Sequence, residues 1–291
     1  MRAPADMKLI QIEVTNDCTR KCANCTRLVG HHQKPFYMSL EQVEQALISL
    51  EGYEGNVGLM GGEPTLHPDF LEILFLYRKY LPKERRQLWT SGYKWDEYSL
   101  DIMNTFTPDH ISYNDHSKEQ LGWHQPILVG IQEVVKDPVL KWQFIDNCWV
   151  QNRWSASITP TGAYFCEVAA AHAHLFHGYD AGWEVDNQWW RTKDICDAQS
   201  WICNRCSGCL PLPWQVADRA EGDMVSPGNY EVLSRISDKK MTVVDIYKCI
   251  EYVEGKTAEP GDEPGSLRDF PGFAPWNYRN SERHGPEQKE A

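Results

Sequence analysis

Three cysteines, Cys18, Cys22 and Cys25, stand three and then two residues apart in the stretch CTRKCANC, and Cys203, Cys206 and Cys209 form a second tight set in CNRCSGC. Cys148 and Cys166 lie between the two sets, Cys196 just before the second, and Cys249 alone beyond it. Thiolates are soft ligands, and cysteines clustered at such spacings in a chain without secretory features read as metal sites rather than disulfides. A structural zinc ion is enclosed by four ligands, whereas a four-iron cluster held by three cysteines leaves one iron open to an outside ligand. The amino and carboxylate groups of an amino acid could chelate that iron.

These residues need elements to position them. KLIQIEVT (8–15) has the β-branched run of a strand, and the first cysteine loop follows it directly. Ser39 with Gln42 makes a capping box before Leu40, Val43, Leu47 and Leu50, which recur at helical spacing. NVGLM (56–60) reads as a second buried strand, HPDFLEILFLYRKYL (67–81) as a helix started by Pro68, and 85–92 and 109–115 as third and fourth strands. Strand and helix alternate, which predicts an α/β protein with a parallel sheet and helices outside it. The motifs then fall where such sheets bind ligands, in the loops leaving the carboxyl ends of strands.

Bulk properties narrow the partners. The 291 residues are 42% hydrophobic and 24% charged, enough apolar material for a sizeable core. A net charge of -12 argues against a nucleic-acid partner, because phosphate binding needs a surplus of Lys and Arg. The opening MRAPADMKLIQIEV lacks the apolar stretch of a secretory signal, and no apolar run of about 18 residues is present to span a bilayer. The expected location is cytoplasmic, with no membrane association.

CTRKCANC after the first strand resembles the CxxxCxxC loop of radical S-adenosylmethionine (radical SAM) enzymes. The resemblance implies that Cys18, Cys22 and Cys25 hold a 4Fe-4S cluster whose open iron binds SAM, and that the reduced cluster cleaves SAM to a 5'-deoxyadenosyl radical. GGEP, Gly61 to Pro64, looks like the family's GGE motif, in which glycines let the backbone come close to SAM and Glu63 holds its ammonium. Taken alone, the cysteine loop could be a zinc fragment and GGEP an ordinary tight turn. Asn24 departs from the aromatic residue common before the third cysteine; its backbone would still meet the adenine. TSG (90–92) looks like a variant of the family's TNG, which implies that Ser91 neighbours SAM, and Asn114 and Asp115 occupy the place where the fourth strand often adds a polar contact; read by themselves, these polar residues are equally turn or cap residues.

WSASITPTGAYFC (154–166) reads as a β-hairpin turning at PTG, with Cys148 before it and Cys166 closing it. This arrangement resembles the SPASM or shorter twitch extension of radical SAM enzymes, which implies that Cys148, Cys166, Cys203, Cys206 and Cys209 supply ligands to at least one auxiliary 4Fe-4S cluster. Zinc is the rival ion, and Cys196 and Cys249 stay outside the set. HAHLFHG is expected to be a loop with surface imidazoles. Asp115, Arg153 and His172 are candidates for a general base on position alone.

The resemblance implies a partial, truncated TIM-like barrel over 1–147 and a small β-hairpin and helical cysteine-rich domain over 148–254. A Pro/Gly-rich tail over 255–291 is expected to be extended or disordered. The expected activity is hydrogen abstraction from a small polar substrate and a net oxidation assisted by the auxiliary cluster, with an external electron donor such as flavodoxin or ferredoxin. A peptide-modifying maturase is the alternative, and a metal-stapled interaction or electron-transfer protein is the reading from another class.

Overall fold

The computed structural model describes residues 1–32, 34–114, 123–153, 155–176, 181–193, 199–217 and 222–257. Of the tail expected over 255–291, residues 255–257 are described and end the last helix instead of being extended, because the apolar helical pattern of the preceding segment carries through them; 258–291 lie outside the described residues, as do Asp115 and Cys196.

Strands and helices alternate through the first half as β1 (Leu9–Thr15), α1 (Leu40–Ser49), β2 (Asn56–Gly61), α2 (Phe70–Tyr80), β3 (Arg86–Thr90), α3 (Trp95–Thr105) and β4 (Ile111–Tyr113). After the two-residue β5 (Trp123–His124) come α4 (Ile131–Val134), α5 (Pro138–Asp146), α6 (Trp149–Arg153), β6 (Ala156–Thr159), β7 (Gly162–Tyr164) and α7 (Glu167–Phe176). The remainder holds α8 (Trp189–Thr192), β8 (Gln215–Val216), β9 (Asp223–Val225), α9 (Pro227–Leu233), β10 (Met241–Val243) and α10 (Ile246–Thr257).

One six-stranded sheet runs in the order β4-β3-β2-β1-β6-β7. Its pairings are parallel except the last, where β7 turns back antiparallel on β6. The chain is therefore an α/β protein with a mostly parallel central sheet, consistent with a partial barrel. The predicted hairpin forms, and its first strand is a strand of the main sheet: Ile10 pairs with Ala156 and Ile12 with Ile158. All four residues of β6 are buried, so this segment needs cover on both faces, which a place beside the central β1 supplies.

Alternation along β1 separates two environments. Ile10, Ile12 and Val14 join Val43 and Leu47 of α1 and Phe70, Ile73 and Leu74 of α2 in the main apolar core. At about 1.5–3 kcal/mol per fully buried aliphatic or aromatic side chain, this outer layer fastens the helices to the sheet. The opposite face carries Gln11 and Glu13, which are only 1% and 3% exposed. Burying polar side chains there costs free energy unless they are paired.

The capping box at α1 is complete, with Gln42 N donating to Ser39 Oγ and Ser39 N to Gln42 Oε1. The helix predicted at 67–81 starts later, at Phe70, because His67 anchors a separate turn. Its Nε2 donates to the Met38 carbonyl at 2.9 Å and its Nδ1 accepts from Asp69 N at 3.1 Å. The fourth strand shrinks from 109–115 to Ile111–Tyr113, since Pro108–His110 form a single 3-10 turn. A second, smaller apolar cluster gathers Val129, Ile131, Phe144, Leu210, Val244 and Val253. No helix among the described residues is long and apolar enough to cross a membrane.

The histidines of HAHLFHG correct an expectation. His172 and His174 lie on α7 rather than in a surface loop; His172 is fully buried and His174 half-buried. His174 packs its ring against His32 at 4.5 Å between centroids. The run VAAAHAHLF is apolar enough to make a buried helix, and that outweighs the polarity of two imidazoles.

Candidate active site and second cysteine cavity

The loops leaving β1, β2, β3 and β4 meet around one cleft of about 720 Å³, solvent at its mouth included. Cys18, Cys22 and Cys25 line it with Gly61, Gly62, Ser91 and Asn114, so seven residues singled out from the sequence come together. Asn24, Glu63 and Pro64 are not part of the lining.

Glycine is required at the end of β2 by crowding from the cysteine loop. A Cβ on Gly61 would sit 2.6 Å from the Thr15 carbonyl oxygen, and one on Gly62 would sit 2.3 Å from that of Asp17. The two segments are zipped by Gly62 N donating to Thr15 O at 2.8 Å and Glu63 N to Asp17 O at 2.7 Å. These bonds set the height of Cys18 against the end of β2.

Glu63 is fully buried and ties β2 to β3. Its Oε1 accepts from the hydroxyls of Thr65 and Thr90, both at 2.8 Å, and its Oε2 from Ser91 N at 2.7 Å and Ser91 Oγ at 2.6 Å. The carboxylate thereby fixes Ser91, which does face the cleft. Pro64 opens the short turn Pro64–Leu66 that follows.

Asn24 explains its own departure from the family pattern. Its φ of 52° is in the left-handed region, which Asn tolerates better than an aromatic residue does. Its Oδ1 accepts from Met224 N at 3.0 Å, and its backbone N–H donates to Asp223 Oδ1 at 2.6 Å. Asp223, on β9, is fully buried and also accepts from His31 Nε2 at 2.5 Å and Lys239 Nζ at 3.0 Å. Lys239 in turn donates to the Cys22 carbonyl at 2.9 Å. A strap from about 200 residues further along the chain thus holds the cysteine loop at Cys22 and Asn24. Burial raises the Asp223 pKa, but its bonds to His31 and the charge of Lys239 outweigh burial and hold it below the ordinary value.

His124 also lines the cleft, and its Nδ1 donates to the Ala23 carbonyl at 2.8 Å. Burial lowers its pKa, so the ring favours the neutral form. Arg27, Met60 and Trp89 form part of the lining too. Sequence reasoning missed His124 and Arg27; the position of Arg27 two residues after Cys25 was a usable signal, whereas nothing local marks His124.

Cys148, Cys166, Cys203, Cys206 and Cys209 line a separate cavity of about 430 Å³, solvent at its mouth included, whose other walls are largely apolar, including Ile145, Val150, Phe165 and Ile202. Cys148 follows α5, Cys166 follows β7, and Cys203 belongs to the turn Ser200–Arg205. Cys249 sits on α10 against the smaller apolar cluster and is not part of this lining.

The residues present fit iron-sulfur clusters. All nine described cysteines are free thiols, and both donor sets are wholly sulfur. Among the described residues no three His, Cys, Asp or Glu side chains are disposed to hold a single metal ion. The thiols instead border two cavities, and a four-iron cluster bonded through separate irons takes ligands spread around a volume. Burial pushes the Cys18 and Cys22 thiols up to about 12, and that of Cys206 likewise, so loading with iron must release protons. Arg20 N, 3.4 Å from Cys18 Sγ, is a backbone donor to a ligand sulfur.

No curated protein matches the sequence. Among solved structures, the fold is similar to the crystal structure of BtrN in complex with AdoMet and 2-DOIA, with a TM-score of 0.40 and 15% identity over 69% of this chain and 92% of that one. Selenomethionine BtrN in an open conformation gives a TM-score of 0.38 at the same identity and coverage. Residues 12–114 match the family model described as the Radical SAM superfamily. That segment spans the cysteine loop, the Gly61-Gly62-Glu63 turn, Ser91 and Asn114. The likeness to that family rests on this segment, 103 of the 291 residues.

Proposed function

We propose that this protein is a radical SAM enzyme that oxidises a small polar substrate with the help of an auxiliary 4Fe-4S cluster. The observation that carries the reading is the pair of cavities each bordered by a set of cysteines, the first completed by glycine, serine and asparagine from successive strand ends. A metal-stapled interaction module would explain the thiols but not that convergence on one cleft.

Cys18, Cys22 and Cys25 would hold the first cluster, which when bound supplies the electron that cleaves SAM to the deoxyadenosyl radical. Gly61 and Gly62 keep the cysteine loop and β2 in contact, Glu63 fixes Ser91, and the Asp223 strap fixes the loop from the other side. Trp89 and Met60 add apolar surface to the lining. The second cavity's cysteines would hold the auxiliary cluster as an acceptor for the remaining electron. Flavodoxin or ferredoxin would supply electrons from outside.

The test is a pair of variants. Replacing Cys18, Cys22 and Cys25 by alanine should leave about four irons per chain and abolish deoxyadenosine formation, at four irons per cluster. Replacing the five cysteines of the second cavity should leave about four irons in the other site, with SAM still cleaved. Loss of all iron in both variants, or SAM cleavage by the first, would refute the assignment.

A further inference from the structure

The turn that carries the last two cysteines of the second cavity, CSGC at 206–209, is gripped from behind by one side chain. Gln125 is 4% exposed, and its amide nitrogen faces three backbone carbonyls of that turn: Leu210 at 2.7 Å, Ser207 at 2.9 Å and Gly208 at 3.4 Å. Its amide oxygen accepts from Trp149 Nε1 at 2.7 Å. Acceptors on one side and a donor on the other fix which end of the amide is which. Trp149 directly follows Cys148, another lining residue, so Gln125 ties two cysteine segments together without lining the cavity itself.

The consequence lies on the other side of a peptide plane. A trans peptide is planar, its C=O and the following N–H pointing opposite ways, and no cis bond occurs among the described residues. Holding the Ser207 carbonyl toward Gln125 therefore turns the Gly208 N–H away, and that N–H donates to Cys206 Sγ at 3.2 Å. Leu210 N, at 3.0 Å, shares the Ser207 carbonyl and closes the turn. A Cβ on Gly208 would stand 3.3 Å from Cys206 Sγ and 3.9 Å from Cys148 Sγ, so this stretch of backbone lies against both sulfurs. Reduction of an iron-sulfur cluster adds negative charge to its ligand sulfurs. A backbone donor aimed at one of them stabilises the reduced form more than the oxidised form and raises the reduction potential. The apolar walls of the cavity strengthen that effect.

We propose that Gln125 is a positioning residue of the second cysteine site. By holding the Ser207 and Leu210 carbonyls it keeps the Gly208 N–H on Cys206 Sγ, and so raises the potential of the auxiliary cluster toward that of an electron acceptor. This rests on the auxiliary cluster of the reading above and names the group that tunes it. The neighbouring His124 points its Nδ1 at the Ala23 carbonyl of the first loop, whereas Gln125 bonds to the second, so the first cluster is an internal control.

The experiment is an anaerobic redox titration of the reconstituted protein followed by electron paramagnetic resonance, with iron counted on each sample. Gln125→Met keeps the bulk of the side chain and removes the donor. At the potential where the second cluster of the unmodified protein is half reduced, its reduced-to-oxidised ratio should fall about tenfold, or about 59 mV for a one-electron couple. The first cluster should not move. Trp149→Phe removes the bond that orients the amide and leaves Gln125 in place; it should shift the same cluster in the same direction by less, and it decides the matter if Gln125→Met does not load. Ser207→Ala cuts the bonds of Ser207 Oγ to the Pro126 carbonyl at 2.6 Å and from Val129 N at 3.2 Å, loosening the same turn without touching the carbonyl that Gln125 holds. It should leave the ratio unchanged. An unmoved potential in Gln125→Met, or in Trp149→Phe where the first variant does not load, or an equal shift in Ser207→Ala, would overturn the inference. No second cluster in the unmodified protein refutes the proposed function and the inference with it, whereas a second cluster whose potential ignores Gln125 overturns the inference alone.

Discussion

Replacing Asp223 by alanine should release the cysteine loop. Its carboxylate accepts from Asn24 N, His31 and Lys239 in a fully buried setting, and Lys239 is itself 5% exposed at its side chain. The substitution leaves a buried ammonium and a buried N–H without their anion. Removing one partner from such a pair costs about 3–5 kcal/mol, a large part of the ~5–15 kcal/mol that holds a typical domain together. At about 2–4 °C per kcal/mol for a chain of this size, the melting temperature should fall by about 6–20 °C. The same variant should load less iron at the first site, because Lys239 no longer steadies the Cys22 carbonyl. Asp223→Ala combined with Lys239→Met removes the stranded charge, so the double variant should be less unstable than the sum of the singles. Calorimetric melting of the apoprotein, with iron counted after reconstitution, checks both effects. A melting temperature within about 2 °C of the unmodified protein, where a lost buried pair predicts far more, would refute the reasoning.

Other expectations follow from single contacts. Gly62→Ala places a methyl where the Asp17 carbonyl already is, 2.3 Å from it, and should abolish iron loading at the first site while the second site still fills, as read by iron count. Asn24→Ala loses the bond to Met224 N and strains a left-handed residue, for a cost of about 1–3 kcal/mol, whereas Asn24→Gly relieves the strain and should cost less; denaturant midpoints rank them. Burial first, then the neighbouring His174 and His31, lowers the His32 pKa from 6.5 to about 3. A depressed histidine leaves the folded state unprotonated while the unfolded chain binds a proton, so stability should decline as pH falls from 6.5 toward 3, and His32→Gln should flatten that slope in melting curves.

The parts of this molecule legible in its sequence are local ones. CTRKCANC, GGEP and TSG each lie within a few residues, and the strands before them carry their own β-branched pattern, so both cleft and sheet could be anticipated. The hairpin was legible as a hairpin, but its seat beside β1 depends on a pairing between residues such as Ile10 and Ala156 that no local pattern encodes. Distance in sequence also hid the strap, since His31 and Asp223 are 192 residues apart, and the bond that Arg27 donates to the Glu167 carbonyl, since those two are 140 apart. The imidazoles of α7 were misplaced because histidine reads as polar, while the surrounding alanines, valine and leucine decided the burial of the helix.

The central claim is that the first cysteine cleft cleaves SAM. Anaerobic reconstitution tests it most directly, with metal counted per chain and 5'-deoxyadenosine followed after addition of SAM and a strong reductant. The account predicts about eight irons, four for each cluster, together with deoxyadenosine. Zinc in place of iron, with SAM left intact, would contradict it.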